Sequence, residues 1–380
     1  MRTIPLTIVM RSLGVGGTEN HLLQLLPRLD PKRFDIELIP LGYENDMLHA
    51  FVDAGIVVSS ANRNALGITS VILHLIRRVH ARKPLLHTFL PEPYLLGAPI
   101  GLFSGAKALV MSRRGRNYYQ RRHQLAAWIE HRLHRHMDIL LGNSLQVVTD
   151  LLEEGAPPER VRLIYNGIDI SKYVAGADHH KKRQITRTNL GIPESCIVVI
   201  CVANLFNYKG HADLFKAIAL LGRTFLDKGI LLVVGRDEGA KQMLESLMAS
   251  LGLSANIHFL GERSDISELL LASDIGILAS HEEGFPNAVL EGMAASLPMV
   301  VTDVGGNAKA IIDGECGYVV PAHQPSMLAL ALSNLLNDIT QRQMMGRLAR
   351  KRVTELFSIE TCVAAYESLY EEVWSRVKHH

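Results

Sequence analysis

The sequence predicts an α/β protein built from two doubly wound, Rossmann-like domains. Short apolar segments alternate with segments of helical periodicity along both halves of the 380-residue chain, as expected of parallel strands covered by helices. The length suffices for two domains of ordinary size. A charged stretch at 173–189 separates the two series, which indicates a linker between two domains.

The first half begins with an apolar strand at 6–10, followed by a glycine-rich loop and a helix at 18–29. Further strands are predicted where short runs are rich in branched apolar residues, and helices where apolar residues recur every three or four positions. The strands are 34–40, 57–58, 85–89, 108–112, 138–141 and 162–165, and the helices are 71–81, 128–136 and 146–154. This series predicts an amino-terminal domain over 1–170.

The second half repeats the alternation without repeating the sequence. Its predicted strands are 197–201, 230–234, 257–260, 275–278, 298–302 and 318–320. We therefore expect a linker at 171–195, a second domain at 196–357 and a helical tail at 358–380, which either closes the second domain or crosses back onto the first. Ligands of doubly wound sheets bind beyond the carboxyl ends of the strands, so functional residues are sought in the loops that follow strands.

Composition limits the class of function. With 48% hydrophobic residues and a formal net charge of +2, a soluble globular protein is expected and nucleic acid is not an expected partner. The four cysteines are scattered without a CxxC pair, which favours buried thiols in a reducing compartment. No apolar run is long enough to span a bilayer, and we expect a cytoplasmic location. No His, Cys and Asp cluster has metal-ligand spacing, so no metal is expected.

The segment after the strand at 275–278 contains two glutamates, Glu283 and Glu291, with seven residues between them. The turn and helix start between them consist of Gly284, Phe285, Pro286 and Asn287. Proline suits the first position of a helix, and the amides of a helix amino terminus bind phosphate. Carboxylates beside such amides suit a ligand that carries both hydroxyls and a diphosphate.

Two other loops follow strands. Asn204 and Lys209 lie after the first strand of the second half, where a lysine ahead of a helix can neutralise a phosphate. Gly16, Gly17 and Glu19 follow the first strand of the chain, where glycines allow the backbone to approach a ligand closely. Neither a GxGxxG fingerprint nor a P-loop is present.

These motifs, in this order, resemble those of glycosyltransferase family 4, whose members are retaining, use nucleotide sugars and have the GT-B fold with a central cleft between two domains. The resemblance runs from Gly16 and Gly17 through Lys209 to Glu283 and Glu291. It implies that Glu283 contacts the donor sugar, that Glu291 binds the ribose hydroxyls and that Lys209 holds the diphosphate. Where many members have a second cation, this chain has Asn204. Arg236 or Arg263 is then a candidate for the missing charge.

The resemblance also implies the reaction. A hexose-type sugar would pass from a nucleoside diphosphate sugar to a hydroxyl of a saccharide or lipid-linked acceptor, in polysaccharide, lipopolysaccharide or glycolipid synthesis. Glu283 and Lys209 are the catalytic candidates, and Gly16, Gly17, Asn204, Lys209, Glu291 and residues 283–287 are the donor-binding candidates. No cofactor beyond the donor is expected. The helical tail at 358–380 is expected to cross back onto the first domain.

The acceptor side is less specified. Glu19 and His87 are candidates for the acceptor or the cleft, and Asn143 with Ser144 and the segment 164–169 are interpreted mainly as hinges or cleft walls. Residues 110–136 hold seven arginines and four histidines against one acid, Glu130. This basic segment is either a solvated helix face or a peripheral contact for an anionic membrane or a phosphorylated lipid acceptor.

Three alternatives remain at this point. A sugar-nucleotide epimerase has a similar two-domain shape, although the spacing of Glu283 and Glu291 suits a transferase better. A sugar-binding protein without catalytic activity is compatible with Asn204. A dinucleotide-dependent dehydrogenase is weakened by the missing glycine fingerprint.

Overall fold

A computed structural model of the chain describes residues 3–42, 45–60, 67–115, 120, 123–173, 179–285 and 287–377. The chain forms two compact units. Unit 1 comprises residues 1–167 and 359–380, and unit 2 comprises residues 168–358. Each has a parallel sheet wound with helices, which confirms the predicted fold class.

Unit 1 contains a seven-stranded parallel sheet in the order β3-β2-β1-β4-β5-β6-β7. The strands are β1 (Ile4–Met10), β2 (Phe34–Pro40), β3 (Val57–Val58), β4 (Leu85–Phe89), β5 (Ala108–Arg113), β6 (Ile139–Gly142) and β7 (Val161–Leu163). The strands β4, β5 and β6 are buried along their whole length, as expected when helices cover both faces of a parallel sheet. All seven were predicted, within a few residues at their ends.

The helices of unit 1 up to β7 are α1 (Gly17–Leu25), α2 (Leu48–Asp53), α3 (Ile68–Arg82), α4 (Pro91–Ser104), α5 (Gln124–His134) and α6 (Leu145–Glu153). The hydroxyl of Ser144 accepts a hydrogen bond from the Val147 amide and caps α6, which satisfies one of the free donors at the helix start. The sequence analysis did not predict α2 or α4. Prolines lie at the start and in the middle of α4, and because proline is typical of loops the sequence pattern did not indicate a helix there.

Unit 2 contains a six-stranded parallel sheet in the order β10-β9-β8-β11-β12-β13. The strands are β8 (Ile197–Val202), β9 (Gly229–Val234), β10 (Ile257–Gly261), β11 (Ile275–Leu278), β12 (Met299–Thr302) and β13 (Gly317–Val320). The helices are α7 (His179–Asn189), α8 (His211–Leu221), α9 (Arg223–Leu226), α10 (Lys241–Ser250), α11 (Ile266–Leu271), α12 (Asn287–Ala294), α13 (Asn307–Ala310), α14 (Pro325–Asn337) and α15 (Ile339–Leu356). All six strands were predicted.

The predicted linker at 171–195 is wrong. Its charged centre forms α7, which belongs to unit 2. The guanidinium of Arg187, only 1% exposed, donates hydrogen bonds to an Asp274 carboxylate oxygen at 2.7 Å and to the Ala272 carbonyl at 2.9 Å. Because a buried arginine must be paired and hydrogen-bonded, these contacts fix α7 to the segment that leads into β11.

The final helix, α16 (Ile359–Val377), belongs to unit 1 although it follows unit 2 in the chain. Tyr366 and Tyr370 on α16 are buried in the same apolar cluster as Phe34 of β2 and Phe89 of β4. The Arg33 guanidinium forms a salt bridge with Glu367 of α16, with an N–O distance of 2.7 Å. The carboxy-terminal tail is therefore part of the core of the amino-terminal half.

Candidate active site

The two residues expected to carry the chemistry follow neighbouring strands of unit 2. Lys209 ends a short 3₁₀ turn after β8, and Glu283 lies in the loop after β11. β8 and β11 are adjacent in the sheet. The strand that follows β8 in the chain, β9, lies on one side of this pair, and the strand that follows β11, β12, lies on the other. The carboxyl edge of a doubly wound sheet opens a crevice at such a reversal point, so both side chains lie where a ligand is expected.

Lys209 and Glu283 are in direct contact. The Lys209 Nζ atom lies 2.5 Å from Glu283 Oε1, and the two side chains are 18% and 8% exposed. Lys209 and Glu283, each expected at the donor, therefore lie side by side in unit 2. A charge pair so largely withdrawn from water is little screened by salt, and it offers both a cation for phosphate and an acceptor for hydroxyls.

The loop that carries Glu283 is held by hydrogen bonds from two directions. The Ser280 hydroxyl donates to Glu283 Oε1 at 2.7 Å. The Thr302 hydroxyl, at the end of β12, donates in turn to the Ser280 carbonyl at 2.5 Å. These two hydrogen bonds orient the carboxylate of Glu283 and tie its loop to the end of β12. Ser280 and Thr302 were not singled out in the sequence, because their partners are set by the adjacency of β11 and β12.

Backbone contacts at glycines fix the same loop. A Cβ atom on Gly210 would lie far inside 3.0 Å of the Ala279 carbonyl oxygen, and Gly210 has a φ of +70°. A Cβ on Gly305, with a φ of +55°, would meet the Glu283 carbonyl oxygen in the same way. Glycine alone allows both the close approach and the left-handed backbone, so these glycines set how near the loops come to each other.

Phe285 anchors the remaining part of the loop. Its side chain is 4% exposed, and its ring packs against Phe357 with centroids 5.3 Å apart. The carbonyl of Gly284 accepts a hydrogen bond from the Gly306 amide at 2.6 Å. These contacts show Gly284 and Phe285 as supports of the loop, and their predicted donor contacts remain a proposal. Pro286 lies outside the described residues, and Asn287 is the first residue of α12.

Glu291 lies one turn into α12 and is partly buried. Burial raises the pKa of its carboxyl to about 7, against a smaller lowering effect of the nearby Lys172. A carboxyl that titrates near neutrality can donate a hydrogen bond when protonated and accept one when ionised. This versatility suits the recognition of hydroxyl groups such as those of a ribose.

Asn204 points its side chain to a neighbouring loop. Its Oδ1 atom accepts a hydrogen bond from the Arg236 amide at 3.0 Å. The guanidinium of Arg236 contacts Glu238 at 2.5 Å, and that of Arg263 contacts Asp265 at 2.5 Å. Arg236 follows β9, which adjoins β8, whereas Arg263 follows the edge strand β10. Arg236 and Arg263 are the candidates for the charge that is missing at Asn204. Of the two, Arg236 is therefore nearer to the Lys209 loop in strand order.

The glycine-rich loop belongs to unit 1. Gly16 precedes α1 and Gly17 is its first residue. The Glu19 carboxylate folds back over Gly16 so closely that a Cβ atom there would displace it, whereas a Cβ atom on Gly17 would meet nothing within 4 Å. Gly16 thus makes room for Glu19, and Gly17 leaves the backbone at the start of α1 open.

His87 does not fit the predicted acceptor role. It is completely buried in β4, with Nδ1 2.8 Å from the Tyr370 hydroxyl and Nε2 2.8 Å from the Ser112 hydroxyl. Burial, with a smaller effect of Arg114, lowers its pKa well below the usual value. Both ring nitrogens are engaged in the core, so His87 is a structural residue.

Arg114, which the sequence analysis did not single out, lies at the carboxyl edge of the unit 1 sheet. Arg114 follows β5, and its guanidinium donates to the amide oxygen of Asn166 at 2.7 Å and to the Tyr366 hydroxyl. Both partners are neutral, so they orient the guanidinium without cancelling its charge. Asn143, which follows β6, donates to the Arg114 carbonyl at 3.3 Å, and its own buried Oδ1 lacks a partner among the described residues.

The basic segment at 110–136 divides into two parts. Arg113 is buried and contacts Glu130 at 2.6 Å and Glu154 at 2.7 Å, so this part is an interior ion-pair network. On α5, Leu125 and Trp128 are exposed, and the Arg132 guanidinium lies 4.9 Å from the Trp128 ring centroid. Tyr118 and Tyr119, also noted in this segment, lie outside the described residues. Among the helices that the structure describes, none combines the length and apolar character needed to cross a membrane.

Comparison with known proteins agrees with this architecture. The family described as "Glycosyl transferases group 1" matches residues 182–352, and the family described as "Glycosyltransferase Family 4" matches residues 15–172. A D-inositol 3-phosphate glycosyltransferase of Corynebacterium diphtheriae is 30% identical over 248 residues, which are 63% of this chain and 57% of that protein. An N-acetyl-alpha-D-glucosaminyl L-malate synthase of Bacillus anthracis is 30% identical over 62% of this chain and 60% of its own length. The chain thus aligns with less than two thirds of these relatives.

Solved structures extend the comparison over nearly the whole chain. HepE from Anabaena, solved in complex with UDP, has a TM-score of 0.86 at 20% identity and covers 97% of this chain and 100% of its own. WaaG, a glycosyltransferase involved in lipopolysaccharide biosynthesis, has a TM-score of 0.72 at 19% identity, with 97% and 99% covered. At such identities the likeness establishes the fold, which is GT-B. The sequence matches and the fold together show that the chain belongs to glycosyltransferase family 4.

Proposed function

We propose that this protein transfers a hexose-type sugar from a nucleoside diphosphate sugar to an acceptor hydroxyl, with retention of the anomeric configuration. The observation that carries the proposal is the contact of Lys209 with Glu283 at the reversal point of the unit 2 sheet. A cation and a carboxylate fixed side by side match the two ends of such a donor, the diphosphate and the sugar hydroxyls.

The chemistry follows from this pairing. The bond between the anomeric carbon and the diphosphate oxygen breaks, and a bond from the acceptor oxygen to the same face of that carbon forms. The acceptor proton passes to the departing phosphate oxygen. Lys209 and the first amides of α12 stabilise the negative charge that develops on the leaving group, while Glu283 holds the sugar hydroxyls and Glu291 the ribose. No cofactor besides the donor has a step in this scheme.

UDP-glucose is the first donor to test. HepE from Anabaena, whose fold this chain shares, was solved with UDP and with UDP-glucose. Because sequence identity to HepE is low, the base and the sugar should be compared with GDP-, ADP- and TDP-sugars and with UDP-N-acetylglucosamine.

We assign the acceptor to unit 1 and expect it to carry a phosphate or carboxylate. Arg114 is oriented by Asn166 at the carboxyl edge of the sheet and keeps its charge. The names of the two sequence relatives contain an inositol phosphate and a malate, both anionic compounds. An acidic saccharide or a phosphorylated lipid-linked sugar, as used in polysaccharide, lipopolysaccharide or glycolipid synthesis, fits this charge.

Peripheral contact with an anionic membrane at its cytoplasmic face is the corresponding proposal for a lipid-linked acceptor. Its support is the exposed pair Leu125 and Trp128 on α5 beside Arg132. An aromatic ring with a neighbouring cation suits the boundary between headgroups and acyl chains. Flotation with phosphatidylglycerol vesicles, compared with phosphatidylcholine vesicles, tests it.

The deciding experiment measures UDP release from UDP-glucose, with and without acceptors, for the wild type and two variants. Lys209→Ala and Glu283→Ala should each lower turnover at least about ten-fold, since each removes charge stabilisation in the transition state. The matched control is the exposed pair Lys241 and Glu245 on α10, 3.7 Å apart, whose alanine variants should keep wild-type turnover. Thermal unfolding of each variant verifies that the fold survives.

The other outcomes are distinct. Near-native turnover in both Lys209→Ala and Glu283→Ala would contradict the proposed mechanism. Donor binding without nucleotide release, over the full acceptor panel, would indicate a sugar-binding protein. Formation of an epimeric sugar nucleotide without acceptor would indicate an epimerase. Proton NMR of the product, through the coupling constant of its anomeric proton, tests retention.

A further inference from the structure

A second cluster of functional side chains lies in unit 2 beside the Lys209 and Glu283 loops. It consists of Asp213 on α8, His281 in the loop after β11 and His323 between β13 and α14. Each offers one ligand atom, and the three atoms lie within 4.8 Å of one another. The sequence analysis expected no metal site because these residues are widely separated along the chain.

The ligand atoms of the three side chains lie close together. The Nε2 atom of His281 lies 2.9 Å from Asp213 Oδ2, and the Nδ1 atom of His323 lies 3.9 Å from the same oxygen. The two imidazole rings face each other with centroids 3.8 Å apart. Two imidazole nitrogens and one carboxylate this close together match the ligand set of a zinc site with three protein ligands and a fourth position for water.

The backbone of His323 supports a specific use of its side chain. Its φ is +60°, in the left-handed region, which among the described residues only three other non-glycine residues share. Glycine would adopt this conformation without steric cost, whereas a residue with a Cβ atom pays for it. A strained residue that presents an imidazole to two other metal-binding side chains indicates a functional constraint.

The surroundings hold the other two ligands in place. The His281 amide donates to the Tyr208 carbonyl at 2.7 Å, so the backbone that carries the ring is fixed. The second carboxylate oxygen of Asp213 faces Lys216 Nζ at 3.6 Å. These contacts hold the backbone of His281 and place a cation beside Asp213. His323 is 67% exposed, whereas Asp213 and His281 are 13% and 22% exposed, so the cluster is open to solvent on one side.

We propose that Asp213, His281 and His323 bind one divalent transition-metal ion, with zinc as the best match. Imidazole nitrogens favour zinc over magnesium and calcium, which prefer all-oxygen ligand sets. The bound ion would join α8, the loop of Glu283 and the segment before α14. Since His281 is two residues from Glu283 and Asp213 is four residues from Lys209, the ion would brace the active-site loops from outside the donor contacts. This role is independent of the proposed reaction.

The test is a zinc titration of the chelator-treated full-length protein, read by calorimetry and by thermal unfolding. The wild type should bind one zinc ion at this cluster and unfold at a higher temperature when zinc is present, because a ligand of the folded state stabilises it. His281→Ala, His323→Gly and Asp213→Asn should each weaken that binding at least about ten-fold. Glycine suits the left-handed backbone at 323, so the His323→Gly variant is expected to fold normally.

The matched control is His258→Ala, which removes a partly exposed histidine of β10 in the same unit and should leave the zinc response unchanged. Substitution with cobalt(II) adds a spectroscopic test, because a four-coordinate site gives intense visible absorption that the variants should lose. The proposal is overturned if zinc does not raise the unfolding temperature of the wild type. It is equally overturned if His281→Ala and His323→Gly keep the full response, which would assign the zinc to histidines elsewhere.

Discussion

The close packing of Gly210 against the Ala279 carbonyl leads to a sharp prediction. Gly210 follows Lys209 directly, and Ala279 begins the loop that carries Glu283. A Cβ atom at position 210 would lie far inside the closest contact that real side chains make, and the opposing atom is backbone oxygen. Gly210→Ala must therefore push the two loops apart, since neither side has a flexible group that can move away.

The loss of folding stability expected for Gly210→Ala has two parts. An alanine in the left-handed region costs about 1–2 kcal/mol relative to glycine, and overpacking adds about 1–3 kcal/mol. Gly252, at the end of α10, isolates the first part because its φ of +71° equals the +70° of Gly210 within one degree, while a Cβ atom there would meet nothing within 4 Å. Gly252→Ala is therefore the matched control, and the difference between the variants measures the loop contact.

The assay is thermal unfolding of both variants, with UDP affinity by calorimetry. For a domain of this size about 1 kcal/mol corresponds to about 2–4 °C, so Gly210→Ala should unfold about 2–12 °C below Gly252→Ala. Because Lys209 moves away from Glu283, UDP affinity should fall about ten-fold or more in Gly210→Ala and stay unchanged in Gly252→Ala. Equal stability and equal UDP affinity in the two variants would refute the reasoning.

Three further predictions concern buried polar groups. The folded-state pKa of Glu291 is raised to about 7 from the model-peptide value of 4.5, so the folded protein holds this proton more tightly and the free energy of unfolding falls as pH rises from about 4.5 to about 7. In Glu291→Gln this fall in the free energy of unfolding should be smaller by up to about 3 kcal/mol. Urea unfolding of the wild type and the variant at several pH values tests this, and parallel pH profiles of the two proteins would contradict it. Arg187→Met leaves the partly buried Asp274 without one of its cations and should lower the free energy of unfolding by about 3–5 kcal/mol. The control Arg263→Met, at an exposed pair, should lower it by less than about 1 kcal/mol. Similar losses for the two variants in urea unfolding would argue against a special role for α7. Tyr370→Phe deprives His87 of a buried partner and should cost about 1–3 kcal/mol without changing UDP affinity, and a clear loss of affinity would return His87 to the active site.

The sequence predicts the strands well because their signal is local. Most of these parallel strands are short, buried apolar runs, and the thirteen strands of the described residues were found largely from such runs. The helix α4 was missed because Pro99 and the glycines Gly97 and Gly101 are typical of loops. In the structure, Cβ atoms on these two glycines would clash with side chains of β4 and β5, so the small residues serve tight packing against the sheet.

Features that depend on distant residues were not predictable. The charged composition of α7 indicates a linker, and only the pairing of Arg187 with Asp274, 87 positions away, makes it a packed helix. Lys209 and Glu283 were both expected at the donor because each follows a strand, whereas their direct contact depends on the observed strand order, which places those strands side by side. Strand order does not reveal which hydroxyls support Glu283, or that His323 lies beside His281.

The chain enters unit 2 at Ile168 and leaves it at Ser358, and these two residues pair as a parallel bridge, with the Ile168 amide 3.0 Å from the Phe357 carbonyl oxygen. Unit 2 is thus a continuous insertion with adjoining ends, whereas unit 1 is completed only by α16, which follows unit 2 in the chain. Nascent unit 1 must wait for α16 before Tyr370 can cover His87. Loss of α16 through proteolysis or a premature stop codon would consequently damage unit 1, most of which precedes unit 2 in the chain.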